Sequence, residues 1–230
     1  MTGTASSGAV AGGPRRIWRV AVAFGLVSSA VVATIVILAA RSSTTAADTR
    51  PTVAVVGDSI TEQGESALKQ VLSGDWHLSI DGRPGYTVAE QIPAARTLGE
   101  RGPSQVIVNL GTNDVMKGND LTRSAADLAE VVGAFPEATC IHLVTINEGI
   151  ELGGHPYADR SAEVNRSIAA LAAADPRVHV IDWSAVVAAY ESGAQADGPI
   201  LVDTVHPSSW GQRALAMRYA EALTACPASP

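Results

Sequence analysis

Two distant segments contain the residue types needed for nucleophilic chemistry. Ser59 follows an apolar run, within Gly57-Asp58-Ser59-Ile60-Thr61. Near the other end of the chain, His206 stands three residues after Asp203. A serine attacks an ester once a base removes its proton, a histidine can be that base, and an aspartate can orient the imidazole. These residues predict acyl transfer with Ser59, Asp203 and His206 as a catalytic triad.

Ser59 also has a purely structural interpretation. Residues 60–73 have the spacing of an amphipathic helix, and serine and aspartate are common N-caps. On this stretch alone both interpretations stay open. The junction between a buried strand and a helix is also where ligands gather in open α/β sheets, because backbone N–H groups point outward there.

Acyl transfer needs hydrogen-bond donors for the oxyanion that forms on the carbonyl oxygen. The loop after the second predicted strand contains Gly85, and the loop after the third contains Asn113. We expect the N–H of Ser59, the N–H of Gly85 and the side-chain amide of Asn113 to form an oxyanion hole. Losing one such donor typically costs about 2.7–4 kcal/mol of transition-state stabilisation.

These side chains need a scaffold that brings strand ends together. Apolar strand-like runs and helical patterns alternate from Thr52 onward, which predicts one three-layer α/β/α domain with a parallel sheet covered on both faces. The predicted strands are 52–56, 76–81, 105–110, 139–146 and 178–182. The predicted helices are 60–73, 88–100, 122–134, 158–174, 184–192 and 208–225.

The segments resemble, in order and spacing, the four sequence blocks of the SGNH (GDSL-type) hydrolases. The matching residues are Gly57-Asp58-Ser59-Ile60-Thr61, Gly85, Gly111-Thr112-Asn113-Asp114 and Asp203-Thr204-Val205-His206. The resemblance spans about residues 52–225. It implies a flavodoxin-like sandwich and an esterase, lipase or carbohydrate O-deacetylase activity. The second block differs from its commoner form, with Asp81 and Arg83-Pro84 where an asparagine and small residues often stand.

Two other functions fit the same residues. The triad could transfer acyl groups between cell-envelope glycans instead of to water. The chain could also be a non-catalytic envelope-binding domain on a hydrolase scaffold that has lost its activity. The presence of Ser59, Asn113, Asp203 and His206 argues against this interpretation. The expected partner of the leading interpretation is a small-molecule, lipid or glycan ester.

Other polar residues have simpler explanations. Asp58 and Asp114 could be metal ligands, but a metallophosphoesterase-type site needs several histidines and only His206 falls in a suitable place. We therefore expect no metal or cofactor, and expect both aspartates to brace their loops. We expect the histidines in predicted strands to be structural or surface residues; these are His77, His142 and His179. His155 is on a loop that could overhang the pocket. Glu148 and Glu151 could face the site, but we expect them to be solvated surface carboxylates.

Charge is distributed unevenly along the 230 residues. Residues 1–50 hold five of the 16 basic residues and one of the 23 acidic ones, so the remainder has 11 basic and 22 acidic residues, a net charge of −11. A domain this acidic repels phosphate backbones, so we expect no nucleic-acid partner.

The N-terminal region has the pattern of a membrane anchor. Residues 1–16 are predicted to be a disordered cytoplasmic segment, 17–40 a transmembrane helix, and 41–51 a linker to a catalytic domain at 52–230. Arginines directly before the apolar run place the catalytic domain outside the cytoplasm. The alternative is a cleaved signal peptide and a secreted protein.

The chain has two cysteines, Cys140 at the start of the fourth predicted strand and Cys226 after the last predicted helix. In an exported domain they could form a disulfide that ties the C-terminus to the sheet. The alternative is two unpaired buried thiols.

Overall fold

The computed structural model describes residues 48–193 and 198–226. The predicted cytoplasmic segment, the predicted transmembrane helix at 17–40 and most of the linker lie outside these residues. Within the described ranges, no helix has the length and hydropathy that crossing a bilayer requires.

The strands are β1 (Thr52–Gly57), β2 (His77–Gly82), β3 (Gln105–Asn109), β4 (Cys140–Val144), the short β5 (Glu151–Leu152) and β6 (His155–Pro156), and β7 (Val178–Ile181). Five of them are parallel and form the central sheet, in the order β2-β1-β3-β4-β7. The interior strands of this sheet are almost completely buried, which explains their mostly apolar sequence. The parallel sheet predicted from the sequence is confirmed.

Helices cover both faces of the sheet. The chain passes from β1 outward to β2 and then back across β1 to β3, so right-handed crossovers put the two connecting helices on opposite faces. The helices are α1 (Ser59–Leu72), α2 (Val88–Gly99), α3 (Thr112–Met116), α4 (Leu121–Gly133), α5 (Ala158–Ala174), α6 (Trp183–Glu191) and α7 (Ser209–Ala225). The last helix, α7, packs on α1, whereas α2 packs on α4 and α4 packs on α5.

The change of direction after β1 creates a topological switch point. The connection from β1 leads to one side of that strand, and the connection from β2 leads to the other. In open α/β sheets a crevice forms at the carboxyl ends of the strands at this point, and ligands bind there. Ser59 follows β1 and Asn113 follows β3, so both residues are at the switch point.

Two small elements differ from the sequence-based expectation. The short helix α3 was not predicted, and it begins directly after Gly111, whose φ of 110° lies in the left-handed region. The antiparallel pair of β5 and β6 was also not predicted. Its turn consists of Gly153 and Gly154, both with positive φ, as a tight two-residue hairpin requires.

A disulfide joins Cys140 and Cys226, with their Cα atoms 6.1 Å apart. Cys140 is the first residue of β4 and Cys226 follows α7. The bridge therefore ties the last helix to the amino-terminal edge of the sheet, the edge opposite the one that carries Ser59.

Candidate active site

Ser59 is the first residue of α1 and follows β1 after a single intervening residue. Asp58 is the N-cap, and its carboxylate accepts a hydrogen bond from the N–H of Ile60 at 3.0 Å. The structural role that the sequence offered for Ser59, capping the helix, thus belongs to Asp58. The Ser59 hydroxyl is left for another partner.

Gly57 allows the nucleophile helix to start this close to the strand. A Cβ at this position would lie 1.9 Å from Thr61 Oγ1 and 3.1 Å from the carbonyl oxygen of Asn109. Real Cβ atoms do not approach other atoms so closely, so a larger residue would require the Thr61 side chain, whose Cβ would lie 2.6 Å away, to move. Gly57 therefore leaves room for the side chain of Thr61 on α1.

The three residues predicted to form a triad are brought together. Ser59 Oγ lies 3.0 Å from His206 Nε2, and His206 Nδ1 lies 2.9 Å from Asp203 Oδ2. Both distances are typical of hydrogen bonds. His206 Nε2 faces the hydroxyl whose proton it would take, and Nδ1 faces the aspartate that orients the ring.

Asp203 and His206 belong to one tight turn before α7. The N–H of Val202 donates to the carbonyl oxygen of His206 at 2.9 Å and closes the turn. Asp203 Oδ1 accepts from the N–H groups of Val205 and His206 at 2.7 and 2.6 Å. Partial burial opposes ionisation, but the hydrogen bonds from His206 and Val205 prevail and hold the pKa of Asp203 below its usual range.

Backbone donors are available next to the Ser59 hydroxyl. The N–H groups of Ser59 and Gly85 donate no hydrogen bond to any of the residues that the structure describes. Gly85 has a φ of 77°, which favours glycine, and it lies in a turn closed by the Tyr86 N–H bond to the Arg83 carbonyl. Both groups suit the oxyanion role proposed from the sequence.

The third predicted donor, Asn113, is already occupied. Its Nδ2 donates to the carbonyl oxygen of Tyr86 at 3.0 Å and to Asp58 Oδ2 at 3.2 Å. Because an amide nitrogen carries two hydrogens, it must give up or share one of these bonds to bind an oxyanion. Asn113 therefore links the first and second loops of the site in addition to any role as a donor.

Asp58 is fully buried beneath this arrangement. Burial raises the pKa of the Asp58 carboxyl to about 7, against the lowering effects of the Ile60 N–H and of the nearby His206. A carboxyl group in this environment changes protonation near neutral pH. Its contacts with Ile60 and Asn113 fit the expectation that it braces the loops.

Asp114 connects three elements from a buried position. Its carboxylate accepts from the N–H of Val88 at 2.9 Å, at the start of α2, and from Ser124 Oγ at 2.7 Å, on α4. Asn119 donates to it at 3.3 Å. These contacts brace the loop that contains Gly85 against the helix that contains Asn113. No group of three or more potential metal ligands occurs among the described residues.

The other polar residues singled out in the sequence do not contact the triad. His142 is buried on β4, where burial lowers its pKa to about 4, and its ring centroid lies 5.5 Å from that of His179. His155 lies on the exposed strand β6 with its ring edge-on to Tyr157. Glu148 accepts a hydrogen bond from Asn165, and Glu151 has an exposed side chain.

Sequence reasoning missed residues that support the site without belonging to a motif. The guanidinium of Arg160 donates to backbone carbonyls at the end of α3, including Val115 at 3.1 Å. Asn147 Nδ2 donates to the carbonyl oxygen of Thr204 at 2.9 Å. Each contact joins positions more than 40 residues apart, so no local pattern in the sequence indicates it. The carbonyl oxygen of Tyr86 was missed because a backbone acceptor has no residue-type signal.

Known proteins share this arrangement of strands and helices. A lipolytic protein of the G-D-S-L family from Veillonella parvula DSM 2008 aligns with a TM-score of 0.64 and 20% identity, over 76% of this chain and 98% of that chain. An acetyl xylan esterase aligns with a TM-score of 0.60 and 18% identity, over 75% and 99% of the two chains. At these identities the likeness concerns the fold.

A third similar structure is the C-terminal catalytic domain of the peptidoglycan O-acetyltransferase A from Streptococcus pneumoniae. It aligns with a TM-score of 0.55 and 21% identity, over 77% of this chain and 94% of that chain. No curated protein sequence matches the chain.

The sequence pattern of one family covers the four blocks and the elements between them. The GDSL-like lipase/acylhydrolase family matches residues 55–214, which is more than half of the chain and includes Ser59, Gly85, Asn113 and His206. Together with the parallel sheet and the position of the blocks at its carboxyl edge, this match shows that the chain belongs to the GDSL-like lipase/acylhydrolase family.

Proposed function

We propose that the protein is a serine esterase that hydrolyses carboxylic esters through an acyl-enzyme on Ser59. The observation that carries this proposal is the chain of hydrogen bonds from Ser59 through His206 to Asp203, with lengths of 3.0 and 2.9 Å. The N–H groups of Ser59 and Gly85, which donate to none of the residues in 48–193 and 198–226, support it, because acyl transfer needs donors that are already in place.

In the first half of the proposed reaction, His206 Nε2 takes the proton of Ser59 as Oγ attacks the carbonyl carbon. The ionised Asp203 stabilises the imidazolium that forms. The N–H groups of Ser59 and Gly85 bind the oxyanion. When the tetrahedral intermediate collapses, the C–O bond to the alcohol breaks and His206 returns its proton to the leaving oxygen. Ser59 is then esterified.

Water completes the reaction in the second half. His206 removes a proton from the water molecule, whose oxygen attacks the acyl carbon. The second tetrahedral intermediate collapses, the proton on His206 returns to Ser59 Oγ, and the carboxylic acid leaves. No cofactor is required for any of these steps.

A short-chain p-nitrophenyl ester provides the direct assay. We expect Ser59→Ala to abolish hydrolysis while the variant keeps the wild-type circular dichroism spectrum and melting temperature. Turnover retained in the folded variant would refute the assignment of the nucleophile.

A second function, acyl transfer between cell-envelope glycans, uses the same proposed triad. The similar structure of a peptidoglycan O-acetyltransferase domain is the observation that favours it. Water and a sugar acceptor would compete for one acyl-enzyme, so product analysis with a sugar acceptor present separates the two functions. Free acid alone indicates a hydrolase, and an acylated sugar indicates a transferase.

We also propose that residues 17–40 anchor the catalytic domain on the outer side of the membrane, with a cleaved signal peptide as the alternative. The support is the uncharged run between Arg19 and Arg41 and the arginines directly before it. We expect the protein to stay in isolated membranes during a carbonate wash. Its release would contradict the anchor.

A further inference from the structure

The turn that carries the proposed acid–base pair is partly exposed. The side chains of Asp203 and His206 keep 48% and 26% of their accessible surface, whereas Asp58, beside the nucleophile, is completely buried. Val205 packs into the hydrophobic core and anchors one side of the turn, so the exposed side that carries Asp203 and His206 needs further contacts to hold the His206 ring at Ser59.

Hydrogen bonds within the turn fix its shape but not its place. The Val202–His206 backbone bond and the bonds to Asp203 Oδ1 all begin and end inside residues 202–206. A turn with only these bonds could tilt as a unit and carry His206 away from Ser59. Contacts with other elements must set its position.

Thr204 supplies such contacts at the middle of the turn. Its Oγ1 accepts a hydrogen bond from the N–H of Glu151 at 2.9 Å and donates one to the carbonyl oxygen of Glu151 at 2.7 Å. The carbonyl oxygen of Thr204 accepts from Asn147 Nδ2 at 2.9 Å. One residue thus makes three hydrogen bonds to a segment more than 50 positions away.

The segment that Thr204 contacts is itself held firmly. Asn165 on α5 exchanges two hydrogen bonds with the backbone of Ile146, at 2.7 and 2.9 Å. Asn147 Oδ1 accepts from the N–H of Gly149 at 3.0 Å, and the Tyr157 N–H donates to the carbonyl oxygen of Ile150 at 2.9 Å. Residues 146–151 therefore provide a fixed point for the turn.

We propose that Thr204 is a positioning residue, whose hydroxyl holds the turn of Asp203 and His206 against the backbone of Glu151. The inference rests on the proposed function, because it assigns Thr204 a role only if His206 is the base. Thr204 acts through His206 and does not touch the substrate. The contact uses only the backbone of Glu151, so its exposed side chain is free to point into solvent.

Two substitutions at Thr204 and one elsewhere test the proposal. Thr204→Val keeps the shape but loses both hydroxyl bonds, and Thr204→Ser keeps both. Thr139→Val is the matched control, since Thr139 is also partly buried and its hydroxyl donates to the Ser104 carbonyl at 2.8 Å, at the opposite edge of the sheet. Each variant is assayed on p-nitrophenyl acetate, with melting temperature measured in parallel.

We expect Thr204→Val to lower kcat by roughly 10- to 100-fold with KM nearly unchanged, because small displacements of catalytic groups slow chemistry more than binding. Thr204→Ser should recover wild-type kcat within a small factor, and Thr139→Val should leave kcat unchanged. The rate at which a fluorophosphonate modifies the enzyme should fall in Thr204→Val and recover in Thr204→Ser.

Wild-type kcat in Thr204→Val would overturn the proposal, as would a Thr204→Ser variant as slow as Thr204→Val. If Thr204→Val does not fold, Thr204→Ala applies the same test because it also lacks both hydroxyl bonds, and wild-type kcat in that variant would also contradict the proposal. Failure of the proposed function looks different, since either the wild type would not hydrolyse the ester or Ser59→Ala would remain active.

Discussion

Asp58 and Asp203 lie on the nucleophile side and the base side of the candidate site, in opposite surroundings. Asp58 is completely buried, and burial raises its pKa to about 7. Asp203 is half exposed, and hydrogen bonds from its own turn overcome partial burial and lower its pKa. Burial thus disfavours the negative charge of Asp58, whereas hydrogen bonds stabilise the negative charge of Asp203.

The difference reflects how each side is built. Ser59 and Asn113 follow strands in the middle of the sheet, so packing of β1, β3 and α1 fixes them. His206 belongs to a turn, residues 202–206, in which only Val205 is buried, and hydrogen bonds position the more exposed residues around it. We therefore expect substitutions at the buried Gly57 and Asp58 to change stability, and substitution of His206 to change catalysis with little effect on folding.

The largest expected effect comes from breaking the base side. General acid–base catalysis is worth about 10²–10⁴-fold, and we expect His206→Ala to reduce kcat by the upper end of this range. Asp203→Asn should reduce it less, by about 10²-fold, because water can partly replace an exposed carboxylate. Steady-state kinetics with a p-nitrophenyl ester measure both. An Asp203→Asn variant as fast as wild type would show that Asp203 neither orients the imidazole nor stabilises the imidazolium.

The next effect concerns the pH dependence of stability. The pKa of Asp58 is higher in the folded state, about 7, than its ordinary value of 3.8, so its contribution to stability is complete below about pH 4 and is lost as pH rises through 7. One pKa unit corresponds to about 1.4 kcal/mol, so the loss is at most about 4 kcal/mol. Urea unfolding at several pH values should show that Asp58→Asn removes this loss.

The contribution of Asp203 to stability should change with pH in the opposite direction to that of Asp58. Its pKa is lower in the folded state, so its contribution is present above its unfolded pKa and is lost as pH falls through the folded value. Asp203→Asn should therefore lower the unfolding free energy above about pH 4, and this difference from wild type should disappear as pH falls below the folded pKa of Asp203. If Asp58→Asn and wild type lose stability in parallel between pH 4 and 8, the buried carboxyl is not the cause.

The smallest expected effect is on stability and comes from substituting glycines near Ser59. In Gly57→Ala the new Cβ would meet Thr61 Oγ1, and overpacking of this kind typically destabilises by about 1–3 kcal/mol. Gly64, in the same helix, has open space for a Cβ, so Gly64→Ala should stabilise by roughly 0.5–1 kcal/mol. Chemical denaturation measures both free energies of unfolding. Equal effects would show that the close approach at Gly57 has no energetic consequence.

Much of the fold follows from local patterns in the sequence. Strands such as β1 and β3 were predicted to within one residue at each end, because their apolar runs stop at glycine or at polar residues. The helix α3 escaped prediction because five residues show no periodicity and its start depends on the backbone of Gly111. The β5–β6 hairpin has only two residues in each strand, too few for an alternating pattern.

In the candidate site, too, some features were predictable from local patterns in the sequence and others were not. The motifs indicated Ser59, Asp203 and His206 because residue type and spacing suffice to suggest a triad. The occupied amide of Asn113 and the bonds of Thr204 could not be predicted, because their partners come from distant loops. Such contacts depend on the register and packing of the whole domain.

Covalent labelling is the most direct test of Ser59 as the nucleophile. A fluorophosphonate reacts with a serine that a neighbouring base has activated, so intact mass should show one adduct per wild-type molecule, and peptide mapping should place it on Ser59. Folded Ser59→Ala and His206→Ala variants should remain unlabelled under the same conditions. A folded wild-type protein that takes up no label, or one labelled on a different serine, would contradict the account.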